Sequence, residues 1–237
     1  MKRLMLIAWL TMFVFACGTQ AQAPVGNPPV LPATNNAPEP KQEIRKMKIH
    51  SSGTWKPSLT DAELNTLFAI AKDTLDWCVN RKPGRFSFEG YAITPEHRKY
   101  SATFVTLKID GDLRGCIGSL EAVEPLYLSV HHNAINAAMH DPRFSPVEPD
   151  ELSNISMDVS VLSTNRTIAT LSEFKVGEHG IILEKNGRHA VFLPEVATEQ
   201  GWSKEETLIF LSRKAGLELD AWKSGATFQV FESCVIS

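Results

Sequence analysis

The sequence predicts an α+β fold in which antiparallel hairpins are mixed with helices. Capping boxes at Thr60 and Ser203 open two predicted helices, because each hydroxyl is followed three residues later by a glutamate. The turn signals Asp110-Gly111 and Asn186-Gly187 lie between short apolar runs and predict two hairpins. Helices and strands do not alternate regularly along the chain, which argues against a parallel βαβ sheet.

The first half of the predicted domain contains two helices around a hairpin. Helical spacing of apolar residues predicts a helix from Asp61 to about Asn80. A β-rich run from Thr103 to Ile109 is expected to pair with the segment from Leu113 to Gly118. A second helix is expected from Leu126 to His140, where Asp141-Pro142 ends it.

The second half of the predicted domain is richer in strands. Apolar and polar residues alternate from Ile155 to Val161 and predict a half-buried strand. The segments from Ile181 to Lys185 and from Arg188 to Leu193 form the arms of the second hairpin. A helix from Ser203 to about Ala215 and a last strand from Phe228 to Val235 complete the domain.

The N-terminus resembles a bacterial lipoprotein signal over residues 1–17. Lys2 and Arg3 precede an apolar run from Leu4 to Phe15, and Ala16-Cys17 would form the processing site. The run is too short to span a bilayer, which needs about 20 apolar residues. We therefore expect a lipidated Cys17 and a cell-envelope location, in the outer membrane if the host has one. A secreted or uncleaved form is the alternative.

Residues 18–57 are expected to form a tether between the lipid and a folded domain that covers residues 58–237. This segment is rich in proline, asparagine, alanine and glutamine and has almost no large apolar side chains. Such a composition cannot bury enough surface to fold, and proline-rich linkers are long and stiff. The formal net charge of the chain is −3, which does not favour nucleic-acid binding because that would need a basic surface.

The strongest candidate site is the run Asp-Leu-Arg-Gly-Cys-Ile-Gly-Ser-Leu-Glu at residues 112–121. Side chains alternate faces along a strand, so Arg114 and Cys116 are expected to point the same way, and a guanidinium would favour the thiolate. Gly115 and Gly118 flank the cysteine. The alternative is that Cys116 is a small buried hydrophobe and that the glycines let another backbone pack closely.

A series of ordered motifs runs through nearly the whole chain after the tether. The motifs lie at residues 103–107, 111–118, 121–122, 125–126, 133–134, 141–144, 159–162, 194–197, 201–202 and 213–216. This series resembles the AMMECR domain family, also called AmmeMemoRadiSam system protein A.

The resemblance implies a larger and a smaller lobe, a mixed or antiparallel sheet with packed helices, and the Arg-Gly-Cys motif near the cleft between the lobes. It implies no particular reaction and no cofactor. The family is associated with a Memo-type protein and a radical SAM protein, whose iron–sulfur chemistry belongs in the cytoplasm. For an exported copy we do not expect those two partners.

Two classes of function follow from these features. The preferred one is a membrane-tethered binding or scaffolding module with an unidentified protein or small-molecule partner. The alternative is a small-molecule enzyme in which Cys116 is a nucleophile or redox thiol poised by Arg114, with His140 or another histidine as a base and Glu121 orienting a partner.

Further candidate residues border the expected cleft. Asp141 and Arg143 are expected either to line it or simply to end a helix and pin a loop. The candidate binding residues are therefore Gly115, Gly118, His140, Asp141 and Arg143.

The cysteine count constrains possible disulfides. If Cys17 is lipidated, three cysteines remain in an oxidising compartment, so at least one should be free or paired between molecules. A Cys78–Cys234 bridge would leave Cys116 as the free thiol. A metal site is not expected, because neither Cys-x-x-Cys nor His-Glu-x-x-His spacing occurs in the sequence.

Overall fold

A computed structural model describes residues 47–237, which contain two antiparallel sheets. The five-stranded sheet consists, in spatial order, of β1 (Ile49–Ser51), β9 (Ser233–Ile236), β4 (Ile155–Leu162), β2 (Thr103–Ile109) and β3 (Asp112–Gly118). The four-stranded sheet consists of β5 (Arg166–Ile168), β8 (Thr227–Phe231), β6 (Gly180–Lys185) and β7 (Arg188–Phe192). The α-helices of this range are α1 (Asp61–Val79), α2 (Leu126–Met139), α3 (Pro194–Glu199) and α4 (Lys204–Lys214). The predicted α+β class is confirmed.

The larger lobe is formed by the five-stranded sheet and by α1 and α2, which cover one of its faces. The side chains that point toward these helices include Val105, Leu107 and Val159, which are fully buried. Val105 and Leu107 lie on the same face because alternate residues of a strand point to the same side of the sheet. Ala134 and Ala137 on α2 are also buried, and such small side chains let the helix approach the sheet closely. The smaller lobe, formed by the four-stranded sheet and α4, has a separate core around Phe174, Leu183 and Leu211.

A third apolar cluster joins the two lobes. Phe104 and Cys116 contribute to it from the outer face of the five-stranded sheet. Val191, Leu193 and Phe231 contribute from the smaller lobe. The face of the sheet that turns away from α1 and α2 is therefore partly buried by the second lobe.

Both predicted hairpins are confirmed. Asp110 and Gly111 have φ angles of 52° and 86°, and Asn186 and Gly187 have φ angles of 54° and 72°. Positive φ at both central residues is the requirement of a tight type I′ turn, and asparagine, aspartate and glycine tolerate it best. The helices predicted to follow Thr60 and Ser203 are also present, each with its capping box.

The predicted last strand, from Phe228 to Val235, is two strands that belong to different sheets. Phe231 pairs with Gly180 in the four-stranded sheet, whereas Ser233 pairs with Leu162 in the five-stranded sheet. The chain changes sheets at Glu232. Apolar residues continue on both sides of that position, so the sequence pattern does not mark the switch.

Strands β1 and β5 and helix α3 were not predicted. β1 lies inside the segment assigned to the tether and pairs with β9, so the fold begins before the predicted boundary at Ser58. The predicted signal, Cys17 and the tether up to residue 46 lie outside the described residues. No helix in residues 47–237 is long and apolar enough to cross a bilayer.

Candidate functional site

Arg114 does not face Cys116, because a β-bulge interrupts the alternation of side chains in β3. Leu107 of β2 pairs with Gly115, whereas the next residue of β2, Lys108, pairs with Leu113, so Arg114 is the extra residue. Its guanidinium turns to the loop that follows α2. It donates to both carboxylate oxygens of Glu151, at 2.7 and 2.9 Å. The expectation that Arg114 lies beside the thiol is therefore wrong.

Cys116 is buried at the junction of the lobes, with 4% of its surface exposed. Its Sγ lies 3.2 Å from the hydroxyl oxygen of Thr106, the residue opposite it in β2. Burial raises the pKa of the Cys116 thiol to about 11. The thiol is therefore protonated at neutral pH and has the features of a small buried residue rather than of an activated nucleophile.

Asp141 and Arg143 bind the backbone of Cys116 from the open side of β3. The amide of Cys116 donates to Asp141 Oδ2 at 2.8 Å, and its carbonyl oxygen accepts from Arg143 Nη2 at 3.0 Å. The two side chains also pair with each other, at 2.6 Å between Arg143 Nη2 and Asp141 Oδ2. Burial alone would raise the pKa of Asp141, but the hydrogen bonds from Arg143 and Cys116 outweigh it and lower that pKa.

The two glycines of the motif are explained by close contacts. A Cβ on Gly115 would lie 2.1 Å from the carbonyl oxygen of Ala137 in α2. A Cβ on Gly118 would lie 2.3 Å from the Phe104 ring and from the carbonyl oxygen of Thr103. Both positions exclude any side chain, which agrees with the structural interpretation of the motif.

Within residues 47–237, the hydrogen bonds of Cys116 involve neither Glu121 nor His140. Both residues are exposed, and neither side chain forms a hydrogen bond within residues 47–237. The Asp141-Arg143 pair is thus the part of the predicted site that the fold assembles around Cys116, while the predicted base and orienting residues lie at the surface.

The predicted Cys78–Cys234 bridge is not present. Cys78, Cys116 and Cys234 are all free in the described part of the chain. Cys78 lies near the end of α1, where its Sγ approaches the Leu75 carbonyl oxygen at 3.4 Å, and Cys234 is buried in β9. Cys78 and Cys234 therefore act as packing residues. Burial raises the pKa of both thiols, which keeps them protonated.

Two ionisable residues at the lobe junction were missed from the sequence. The first is Glu195 of α3, whose Oε2 atom has no exposed surface and no hydrogen-bond partner within residues 47–237. Desolvation of its carboxyl group raises the pKa of Glu195 to about 7. Lys214, the last residue of α4, is also desolvated, and burial lowers its pKa to about 7. Both lie within the motifs at residues 194–197 and 213–216, and both side chains are half-buried, so only the packing of the lobes desolvates their ionisable groups. Perturbed groups of this kind mark candidate functional sites.

A pocket of about 400 Å³ lies away from this junction, on the surface of the larger lobe. Its lining includes three aromatic rings, from Phe88, Tyr91 and Tyr127, together with Glu89 and Arg98. The Phe88 and Tyr127 rings meet edge to face with centroids 5.0 Å apart. The Arg98 guanidinium lies 5.9 Å from the Tyr127 ring centre. The sequence carries no local pattern for this pocket, because its residues are spread over three separate segments.

A second pocket, of about 310 Å³, lies where the chain passes between the sheets and is lined by residues that include Trp55, Arg166, His179 and Glu232. Neither of these two pockets is lined by the Arg-Gly-Cys segment. Residues 47–237 contain no cluster of three or more histidine, cysteine, aspartate or glutamate side chains that could hold a metal ion.

Comparison with known proteins agrees with the resemblance noted from the motifs. The AMMECR1 family profile matches residues 68–236. A protein of Nanoarchaeum equitans is 36% identical over 168 residues, which cover 65% of this chain and 93% of the relative. A protein of Methanosarcina mazei is 34% identical over 180 residues, which cover 73% of this chain and 90% of the relative.

A solved structure shows the same fold. The crystal structure of an uncharacterized protein from Pyrococcus horikoshii superposes with a TM-score of 0.65 at 31% identity. The superposition covers 71% of this chain and 88% of the Pyrococcus protein. Family profile, relatives and fold agree, and the chain belongs to the AMMECR1 family.

Proposed function

We propose that this chain is a lipid-anchored binding module of the cell envelope and that its aromatic pocket receives the ligand. The observation that carries the proposal is a contrast between two places in the fold. The Arg-Gly-Cys-Ile-Gly segment is engaged in structural contacts, whereas the pocket beside Tyr127 is open to solvent.

The contacts of the segment account for its composition without a reaction. Arg114 is held by Glu151, and Asp141 and Arg143 bind the two backbone polar groups of Cys116. Gly115 lets α2 approach. These contacts give the segment a structural role that a binding module can have without any reactive group.

The chemistry of the pocket favours a ligand that has a ring and an acidic group. Its volume lies in the range of about 300–1,000 Å³ found for small-molecule sites. Aromatic walls stack on flat apolar groups. Arg98 is exposed and forms no ion pair with a carboxylate in residues 47–237, so its guanidinium is free to bind an anionic group beside the ring.

The enzyme alternative with Cys116 as nucleophile or redox thiol has weaker support. A thiol with a pKa of about 11 is almost entirely protonated at neutral pH, and thiolates are the reactive form. Arg114, the cation expected to lower that pKa, is paired with Glu151 instead.

Binding is tested by titrating ¹⁵N-labelled protein with a panel of small aromatic acids, beginning with 4-hydroxyphenylacetate, while amide shifts are followed. We expect saturable shifts at the pocket amides of Gly90 and Ile93. Tyr127→Ala and Arg98→Ala should each weaken binding about tenfold. Tyr100→Ala is the matched control, because Tyr100 is 62% exposed and is not among the lining residues. Shifts that avoid the pocket, or that survive Tyr127→Ala, would exclude it as the binding site.

Anchoring is tested separately with Cys17→Ser in a bacterial host. We expect the wild-type chain in the membrane fraction and the variant in the soluble fraction, because lipidation at this position needs the thiol. Equal partitioning of both proteins would rule out lipid anchoring and leave the pocket proposal intact.

A further inference from the structure

The second pocket, of about 310 Å³, takes residues from both lobes. Trp55 belongs to the larger lobe, because it follows β1 and packs against the core beneath α1 and α2. Arg166 begins β5 and His179 precedes β6, so both belong to the smaller lobe. Glu232 stands between the lobes, where the chain changes sheets. The volume is at the lower end of the range for small-molecule sites, about 300–1,000 Å³, so a ligand of modest size would contact both lobes.

The Glu232 carboxylate is held in place without a cationic partner. Its Oε2 accepts from the Trp55 amide at 2.7 Å, and the Glu232 amide donates to Ser163 Oγ at 2.9 Å. Gly53 leaves the space for the carboxylate, because a Cβ there would collide with Glu232 Oε2. No lysine, arginine or histidine of residues 47–237 lies at salt-bridge distance from this carboxylate. A fixed carboxylate of this kind can accept from a positively charged donor of a ligand.

Arg166 and His179 supply the donors of the same pocket. Arg166 does not pair with Glu232 but donates through Nη1 to Glu173 at 2.8 Å. Within residues 47–237, its Nε and Nη2 have no hydrogen-bond partner, so the guanidinium keeps donors for an anionic group. His179 accepts the Lys175 amide at Nδ1, at 3.3 Å, which places the proton of the neutral ring on Nε2 as a further donor.

The rest of the second pocket offers apolar surface. Trp55 is half-buried, and Val230 and Phe231 are each only 2% exposed. All three residues line the pocket. The pocket therefore combines a carboxylate without a counter-charge, a cation with free donors and an apolar wall. A ligand that matches all three features carries an ammonium group, a carboxylate and an apolar side chain.

We propose that the second pocket binds a free α-amino acid with an apolar side chain. Glu232 binds the ammonium group, Arg166 and His179 bind the carboxylate, and Trp55 and Val230 contact the side chain. An α-amino acid carries both charges on one carbon atom, so a single small ligand serves both poles of the pocket. A ligand with only one of the charges leaves one pole without its partner, which costs affinity. This site is separate from the aromatic pocket, so the proposal does not depend on ligand binding there.

The test is isothermal titration of the full-length protein with L-leucine, which has no ring to favour the aromatic pocket. We expect saturable binding, with amide shifts in ¹⁵N-labelled protein at Thr164 and Glu232. N-acetyl-L-leucine lacks the ammonium group and L-leucinamide lacks the carboxylate, so each should bind at least about tenfold more weakly. No saturable binding of leucine up to millimolar concentration, or equal affinity for leucine and both derivatives, would overturn the proposal.

Variants assign each charge of leucine to its partner. Glu232→Gln keeps an oxygen acceptor for the Trp55 amide but loses the charge, and it should weaken leucine binding about tenfold without changing the affinity for N-acetyl-L-leucine. Arg166→Gln should weaken leucine binding by a similar factor. Arg85→Gln is the matched control, because Arg85 is exposed and lines neither pocket.

The two pockets are tested independently of each other. Tyr127→Ala should leave leucine binding unchanged, and Glu232→Gln should leave the binding of 4-hydroxyphenylacetate unchanged, because each variant lies outside the other pocket. Leucine binding that is lost in Tyr127→Ala but kept in Glu232→Gln would place the amino acid in the aromatic pocket and contradict the inference.

Discussion

At Cys116, two side chains satisfy the backbone groups that would otherwise be open on an edge strand. β3 is the last strand of its sheet, and such strands expose unpaired amides and carbonyls to other chains. Asp141 accepts from the amide and Arg143 donates to the carbonyl, so the loop after α2 takes the place of a neighbouring strand. The positive charge of Arg143 also compensates the negative charge of Asp141, whose side chain is only 1% exposed.

Removal of the arginine should therefore destabilise the domain strongly. Arg143→Ala leaves Asp141 as a buried uncompensated charge, and we expect a loss of about 3–5 kcal/mol in the free energy of unfolding, measured by urea denaturation at pH 7. Arg114→Ala is the matched control. Its partner, Glu151, is 27% exposed, so the loss should be closer to about 1 kcal/mol.

The pH dependence of the Arg143→Ala effect has a defined sign. The native pKa of Asp141 is lowered, so its contribution to stability is present above the ordinary aspartate pKa of about 3.9 and is lost as the pH falls through the native value. The difference between wild type and Arg143→Ala should shrink in acid. A difference that is small at pH 7 or independent of pH would show that the pair is not structural.

Glu195 should have the opposite dependence. Its pKa is raised to about 7, so its contribution to stability is present below its ordinary value of about 4.5 and is lost as the pH rises to 7. We compare the change in the free energy of unfolding that Glu195→Gln causes at two pH values. This change should be about 1–3 kcal/mol more stabilising at pH 8 than at pH 4. Glu199→Gln, which removes a partner of Lys108, should instead destabilise slightly. Thermal unfolding from pH 4 to 8 measures both. A Glu195→Gln effect that does not change with pH would contradict the desolvation of the Glu195 carboxyl group.

At the scale of elements, the packing of β3 on α2 explains the motif better than the strand pattern does. The bulge at Arg114 is set by the register with β2, which cannot be read from the sequence of β3. With the bulge, Gly115 faces the helix backbone and Arg114 turns to Glu151. Regular alternation would have placed the arginine beside the thiol, which is why the predicted Arg114–Cys116 pair is wrong.

The contact between β3 and α2 is tested by Gly115→Ala. The added Cβ would lie 2.1 Å from a backbone carbonyl oxygen that cannot rotate away, so we expect a loss of about 3 kcal/mol or more. Gly111→Ala is the control, because its Cβ would meet open space and its cost of about 1 kcal/mol comes from a φ of +86° alone. Urea denaturation compares the two. If Gly115→Ala costs no more than Gly111→Ala, the helix does not approach as closely as described.

At the scale of the whole molecule, the junction of the lobes contains what the sequence could not predict. Local signals such as the capping box at Thr60 and the Asn186-Gly187 turn act over a few residues, and the elements they predict are present. The sheet switch at Glu232 and the desolvation of the half-buried Glu195 and Lys214 arise only when distant segments pack. The apolar run around Glu232 does not indicate a change of sheet. The charged residues of α3 and α4 give no indication in the sequence that they are desolvated.

The same limit explains the outcome for the candidate site. The sequence pattern singles out the segment around Cys116, and it is compatible with both a chemical and a structural interpretation. Choosing between them needs the burial of the thiol and the partners of Arg114, which are properties of the folded chain. The structure favours the second interpretation.

The most direct test of this conclusion is the rate at which Cys116 reacts with iodoacetamide in the intact protein. Peptide mapping resolves it from the other cysteines, and Cys116→Ser serves as the control. We expect Cys116 to stay protected until the protein unfolds, and any residual reaction to rise with an apparent pKa of about 11. A thiol that reacts rapidly at pH 7, with a pKa well below the ordinary value of about 8.5, would contradict the structural role and favour the enzyme alternative.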